Sequence, residues 1–122
     1  GADHLVLALS DRAALSAMHY SLAQGRLLMR REGLVTMLLV HVAGDRLFHT
    51  RNAFAYGGVY EDPATGAATA AFAGYLRDLH WPDGGAIDIV QGEDMGMPSR
   101  LRAEIPAEPG SSIRVSGGAR WI

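Results

Sequence analysis

The chain has no cysteine, which excludes a disulfide framework, a cysteine zinc ribbon, a thiol nucleophile and an iron–sulfur site. It has no lysine either. All 11 basic residues are arginine, so a Schiff-base lysine, a phosphate-loop lysine and a lysine general base are also excluded. An excess of one charge is missing too: the formal net charge is -2 over 122 residues, which leaves no electrostatic footprint for nucleic acid or an anionic membrane. The longest apolar runs, Leu34 to Ala43 and Ala67 to Ala73, are too short to span a bilayer. No basic and then apolar leader opens the sequence, so a cytoplasmic protein is expected. Two tryptophans without a basic patch do not make a base-stacking platform.

What is present is the composition of a globular domain, with 48% hydrophobic and 20% charged residues. Domains commonly run to roughly 100–200 residues, so residues 1–122 are expected to form one domain. Leu5 to Leu9 is a short continuous apolar run and is expected to be a buried strand. Ser10-Asp11 is an N-cap signal for a following helix, and a second helix is expected over Leu22 to Glu32, closed by Gly33. Val35 to Val42 is expected to be a central strand. Ala43-Gly44-Asp45 supplies turn chemistry, so Arg46 to Tyr56 returns as the other arm of a hairpin. On that arm Leu47, His49, Arg51 and Ala53 share one face, and Phe48, Thr50, Asn52 and Phe54 share the other. Gly57 to Pro63 is expected to be a loop. Thr65 to Leu79 is expected to be a helix with alanines spread around its whole circumference, hence buried on all sides. Short strands are expected at Ile87 to Val90, Arg100 to Ile105, Ile113 to Ser116 and Arg120 to Ile122. The sum is an α+β domain, with small side chains letting a curved sheet approach a helix through its middle.

The most informative stretch is Glu61-Asp62-Pro63-Ala64-Thr65-Gly66-Ala67-Ala68. Asp62 or Thr65 can cap the helix that follows, and Gly66 leaves backbone amides uncovered where they point outwards. Bare amides at a helix N-terminus suit a carboxylate or phosphate. A well-capped structural helix has the same pattern, so the stretch alone does not decide between the two. The five histidines, His4, His19, His41, His49 and His80, show no metal-ligand pair at helical or strand spacing, and no metal is expected. There is no Gly-x-Ser-x-Gly elbow. Glu61 beside Asp62 is a pair of carboxylates, though neighbours in a loop need not face the same site.

Phe48-His49-Thr50-Arg51-Asn52-Ala53-Phe54, then Gly58-Val59, then Glu61 to Ala68, closely resembles the PhzF-like isomerase family of phenazine biosynthesis. Gln91-Gly92, Met95-Gly96, Pro98-Ser99 and the closing Val115 to Ala119 continue the match in the same order. The resemblance implies half of a diaminopimelate-epimerase-like fold, a curved and mostly antiparallel sheet wrapped around a central alanine-rich helix. It further implies that this is the C-terminal half of a two-domain enzyme whose site lies in the cleft between the halves. Members such as the phenazine isomerase move a proton on dihydro-3-hydroxyanthranilate, a small cyclic amino acid, with neither metal nor organic cofactor. By the same resemblance the principal acid/base, a glutamate, belongs to the N-terminal half, which should be needed for activity.

What this half would contribute is Asp62 as the catalytic polar partner, with Thr65, Gly66 and Ala67 binding the substrate carboxylate. The family commonly has a serine where this chain has Ala67, and arginine where it has Met97. The implied partners are a small carboxylate or amino-acid-like substrate and an N-terminal-type domain or subunit, with a homodimer as a further arrangement. The rival expectation is a non-catalytic carboxylate-binding or assembly domain exposing a cleft face around Tyr56, Tyr60 and the helix start.

Overall fold

A computed structural model describes residues 3–81 and 85–118. In chain order the elements are β1 (Asp3–Leu9), α1 (Arg12–Ser16), α2 (Leu22–Glu32), β2 (Leu34–Val42), β3 (Leu47–Phe54), β4 (Val59–Asp62), α3 (Gly66–Asp78), β5 (Gly85–Gln91), β6 (Ser99–Ile105) and β7 (Arg114–Gly117). Local chemistry sets most of the boundaries. Asp11 caps α1 by accepting from the Ala14 amide at 2.6 Å, and Ser21 caps α2 by accepting from Gln24. Gly33 ends α2 in the left-handed conformation at φ 69°, where a side chain would be strained. The Ala43 and Gly44 amides both reach the Leu47 carbonyl and close the β2–β3 hairpin.

The strands form one sheet in the order β1-β2-β3-β5-β6-β7, with β4 paired to β3 off that path. Four pairings are antiparallel, and two, β1 with β2 and β3 with β5, are parallel. Each parallel pair is joined through a helical crossover, α1 and α2 for the first and α3 for the second, as parallel neighbours require.

α3 lies against one face of the sheet. Ala68, Phe72, Ala73 and Leu76 pack on Leu38, Val40, Phe48, Ile87, Ile89, Ala103 and Ile105. Phe48 and Phe72 meet edge to face, with ring centroids 5.1 Å apart. The other face carries α1 and α2, anchored by the fully buried Leu15 and Met29.

Four expectations need correction. β1 forms where it was expected but is not buried: Leu5 is 37% and Leu7 39% exposed, because a continuous apolar run does not show whether both of its faces are covered. β4 occupies Val59–Asp62, where a loop was expected; its four residues pair with β3, and a run that short has too little alternation to read from sequence. β3 stops at Phe54 because the chain turns through a 3-10 segment at Ala55–Gly57, with Gly58 left-handed at φ 79°. α3 is not enclosed on all sides: Ala67, Ala71 and Tyr75 form an exposed stripe, with Tyr75 54% exposed. An alanine-rich helix has no polar face to mark the open side, so composition could not distinguish an open face from a covered one. The expected strand at Arg120 to Ile122 lies outside the described residues, as do Ala119 at the end of the Val115 to Ala119 stretch and residues 82–84.

Candidate functional site

The site is built where β3 and β4 end against the start of α3. Asn52 of β3 stands opposite Asp62 of β4, and Ala53 stands opposite Glu61. Because side chains alternate along a strand, Glu61 and Asp62 point to opposite faces of the sheet. Glu61 goes to the α1 side, where it is 6% exposed and holds Arg51 through two hydrogen bonds of 2.7 and 3.1 Å. The rest of the Arg51 guanidinium donates to the carbonyls of Leu15, Ser16 and Met18, clamping the end of α1 to the sheet. The Glu61 hydrogen bond raises the Arg51 pKa against the opposing effect of burial.

Asp62 goes to the α3 side and is only partly buried. Its Oδ2 accepts the Thr65 hydroxyl at 2.5 Å, and its Oδ1 accepts the Ala64 amide at 3.2 Å. The Thr65 oxygen in turn accepts from Asn52 Nδ2 at 2.6 Å and from Gln91 Nε2 at 3.1 Å. Gln91 also donates to the Asp62 carbonyl at 2.8 Å, and its Oε1 accepts the Thr65 amide at 3.2 Å. Thr65 occupies the N-cap position of α3, but neither its side chain nor that of Asp62 bonds an amide of the first turn. Here the expected capping bond gives way, because both oxygens are already committed elsewhere. The amides of Gly66, Ala67 and Ala68 have no intrahelical acceptor by the geometry of a helix start. Gly66 and Ala67 are exposed. The result is a half-buried carboxylate beside uncovered N–H groups that carry the positive end of a helix dipole.

A cleft of about 720 Å³ opens on the Pro63–Ala64 side of this junction, lined also by Met97, Ser99, Arg100 and Gly118. Its far wall is held close by Gly92. A Cβ there would lie 2.4 Å from the Met97 carbonyl oxygen and 2.9 Å from that of Pro63, so only glycine permits the approach. The same loop is tied to α1. Arg12 and Ser16 both bond Asp94, and Arg12 reaches Glu93 at 3.6 Å. Burial pushes the Asp94 carboxyl up, but the hydrogen bonds from Arg12 and Ser16 outweigh it and hold the group below its ordinary range.

With that geometry in place, the comparisons become informative. The family pattern described as phenazine biosynthesis-like protein (PhzC-PhzF) matches residues 1–121. The chain belongs to this family. It is 36% identical over 120 residues to the trans-2,3-dihydro-3-hydroxyanthranilate isomerase of Pseudomonas aeruginosa, covering 96% of this chain and 41% of that protein. It is 43% identical over 79 residues to an uncharacterised isomerase of Mesorhizobium japonicum, covering 62% of this chain and 26% of that one.

Among solved structures, a predicted epimerase from Pseudomonas aeruginosa superposes with a TM-score of 0.71 at 28% identity, over 97% of this chain and 39% of that one. A PhzF-family protein of Bacillus anthracis gives 0.65 at 13% identity, over 90% of this chain and 40% of that one, a likeness of fold alone. The chain therefore spans about a quarter to two fifths of the length of the curated relatives it matches. It carries the fold of the PhzF and epimerase-like proteins and belongs to an isomerase family.

In this PhzF-family chain the sequence-predicted residues Asp62, Thr65, Gly66 and Ala67 do come together at one junction. Two further residues, Asn52 and Gln91, complete it. Both lie in stretches that match the family, yet no role could be given to them from the sequence. The available signal was the alternation of β3, which puts Thr50 and Asn52 on the same face as Phe48 and so into the core.

Tyr60 does not belong to an open cleft face. Its ring stacks on Tyr20 with centroids 4.3 Å apart, its hydroxyl accepts the Tyr20 amide, and its carbonyl accepts the Tyr20 hydroxyl. Tyr56 is 40% exposed, beneath Arg30. His49 and Arg51 share a face as expected, but His49 approaches Glu93 at 3.2 Å while Arg51 turns to Glu61. Among the described residues no group of three His, Cys, Asp or Glu is placed to hold a metal ion, and no helix is long and apolar enough to cross a membrane.

Proposed function

We propose that this chain forms the C-terminal-type half of a cofactor-independent isomerase or epimerase, acting by proton transfer on a small amino or carboxylic acid. The observation that carries the reading is the junction of Asp62 with the uncapped start of α3. The amides of Gly66 and Ala67 would take the substrate carboxylate, and Asp62 would take an N–H or O–H of the same molecule. Two fixed contacts on one small acid hold it at a defined angle, which a proton transfer needs. The principal acid/base comes from an N-terminal-type domain or subunit packed across the junction, so activity requires that partner. The first substrate to try is trans-2,3-dihydro-3-hydroxyanthranilate, which names the activity of the Pseudomonas relative.

The test is proton exchange in deuterated water, using the protein as its source produces it. Deuterium should enter the substrate at the carbon whose proton moves, and Asp62→Asn should suppress that entry. Full deuterium entry in Asp62→Asn would remove Asp62 from the reaction.

A second reading is favoured by one specific observation: Ala67 brings no hydroxyl to the helix start. In this reading the domain binds a small carboxylate without chemistry and pairs with itself or with a separate subunit. The same experiment separates the two. A small aromatic carboxylate that perturbs the Gly66 to Ala68 amide signals, with no deuterium exchange in any substrate tried, supports the binding domain.

A further inference from the structure

Four polar side chains lie where the core would ordinarily hold apolar ones. Asn52, Thr69 and Gln91 are 0% exposed, and Thr50 is 3% exposed. They surround the start of α3: Thr50 and Gln91 are register partners on β3 and β5, Asn52 bonds Thr65, and the Thr69 amide bonds the Thr65 carbonyl. Three of their atoms, Thr50 Oγ1, Asn52 Oδ1 and Thr69 Oγ1, have no hydrogen-bond partner among the described residues. A buried polar atom left unpaired weakens a fold, whereas an apolar residue of the same shape would not. As a device for stability the cluster is a poor one, so its reason must lie in what it does to its neighbours.

Thr65 shows what that is. A hydroxyl has one proton and two lone pairs. Both lone pairs of Thr65 Oγ1 face donors, Asn52 Nδ2 and Gln91 Nε2, and its proton therefore has a single remaining acceptor, Asp62 Oδ2. The Thr65 amide is taken as well, by Gln91 Oε1. Neither the hydroxyl nor the amide of Thr65 is left to contact a ligand. Gln91 further holds the Asp62 carbonyl, so one fully buried amide grips both ends of the Asp62–Thr65 turn.

We propose that Gln91 and Asn52 are positioning residues that act through Thr65 to aim the Asp62 carboxylate. Its Oδ2 is fixed by the one-way Thr65 bond and its Oδ1 by the Ala64 amide. An ionised carboxylate offers about four lone-pair sites, and those that remain present a hydrogen-bond acceptor of fixed direction. The fitting group on the ligand is an N–H or O–H donor, set beside whatever anion the helix start holds. The orientation of Asp62 stands on geometry alone; what Asp62 then does in turnover rests on the isomerase reading above.

The experiment uses the protein as its source produces it, with Gln91→Glu, Thr65→Val, Thr65→Ser and the Gln91→Glu/Thr65→Val double variant. Gln91→Glu keeps an oxygen for the Thr65 amide but removes both N–H donors, which frees the Thr65 hydroxyl to turn away from Asp62. A loss of alignment of this kind is expected to lower kcat for trans-2,3-dihydro-3-hydroxyanthranilate by about a hundredfold in Gln91→Glu and in Thr65→Val, with KM little changed. Thr65→Ser should recover most of what Thr65→Val loses. The double variant should be at most severalfold slower than Thr65→Val alone, the remainder being the direct bond from Gln91 to the Asp62 carbonyl, because the two residues act on the carboxylate in series. Losses that multiply in the double variant would overturn the proposal, as would a smaller folded fraction with kcat per folded molecule unchanged.

NMR supplies a readout independent of turnover. The Thr65 hydroxyl proton should give a slowly exchanging signal in the wild type that disappears in Gln91→Glu. Absence of that signal from the wild type overturns the positioning role whatever the activity. Its presence in a wild type that exchanges no substrate proton overturns the isomerase reading and supports the positioning geometry.

Discussion

Glu61 and Asp62 are adjacent acids on one four-residue strand, and the fold gives them opposite environments. Glu61 is sealed against Arg51, 7% exposed, whose remaining donors hold the end of α1. Asp62 is half-buried at the start of α3, engaged by one hydroxyl and one amide and still open on its other lone pairs. A carboxylate paired with a buried guanidinium is spent on structure, whereas one braced by neutral donors keeps capacity for a ligand. The pleat of β4 alone separates the two roles.

The sharpest way to break this comparison is Glu61→Ala. It leaves the Arg51 guanidinium buried without its counter-ion, which should cost about 3–5 kcal/mol, read as a lower midpoint in denaturant unfolding. Asp62→Asn should do the reverse. Its stability should fall by no more than about 1.5 kcal/mol, since the partly exposed side chain keeps one of its two accepted hydrogen bonds. Its turnover should fall by about a hundredfold, because losing a contact that orients the substrate for proton transfer costs on that order. A midpoint for Asp62→Asn as low as that of Glu61→Ala would erase the distinction.

Tyr20 sharpens the structural side. Burial, with Tyr60 and Glu61 adding to it, pushes the Tyr20 phenol up to about 12. Its unfolded value is near 10, so between those values the unfolded chain has lost the proton that the folded one keeps. Stability linked to Tyr20 is therefore full below pH 10 and is lost as the pH rises towards 12. Tyr20→Phe should flatten that alkaline fall, followed by circular dichroism against pH.

The smallest effect is expected at Asp94, whose depressed pKa gives a contribution present above the ordinary carboxylate range and lost as the pH falls through the lowered value. Arg12 and Asp94 are partly solvated. Asp94→Asn should therefore cost no more than about 1 kcal/mol and remove that acid dependence, measured by thermal melts at pH 3 and pH 7.

Much of the architecture was legible before any coordinates. The apolar runs located β1 and β2, the Ala43-Gly44-Asp45 turn located β3, Gly33 closed α2, and the motif from Glu61 to Ala68 pointed to the entry of α3 as the candidate site. The parts that escaped share a cause. β4 was too short to carry a period, and the open stripe of α3 had no polar residue to mark it. The parallel pairings of β1 with β2 and β3 with β5 depend on crossovers rather than on any local signal. Asn52 and Gln91 lie 39 residues apart in sequence and converge on one hydroxyl, a meeting that no spacing rule anticipates.

The sequence by itself determined that cysteine and lysine chemistries are absent, the family, the order of the strands and helices other than β4, and the stretch in which the candidate site lies, because periodicity, turn residues and motifs act over short distances. Tertiary structure alone decided which of two neighbouring carboxylates is consumed by an ion pair and which is left available. It also decided that the Thr65 hydroxyl points at Asp62. Those outcomes depend on which face of the sheet a residue meets and on what the opposite strand has placed there, and these are fixed only when distant segments pack together.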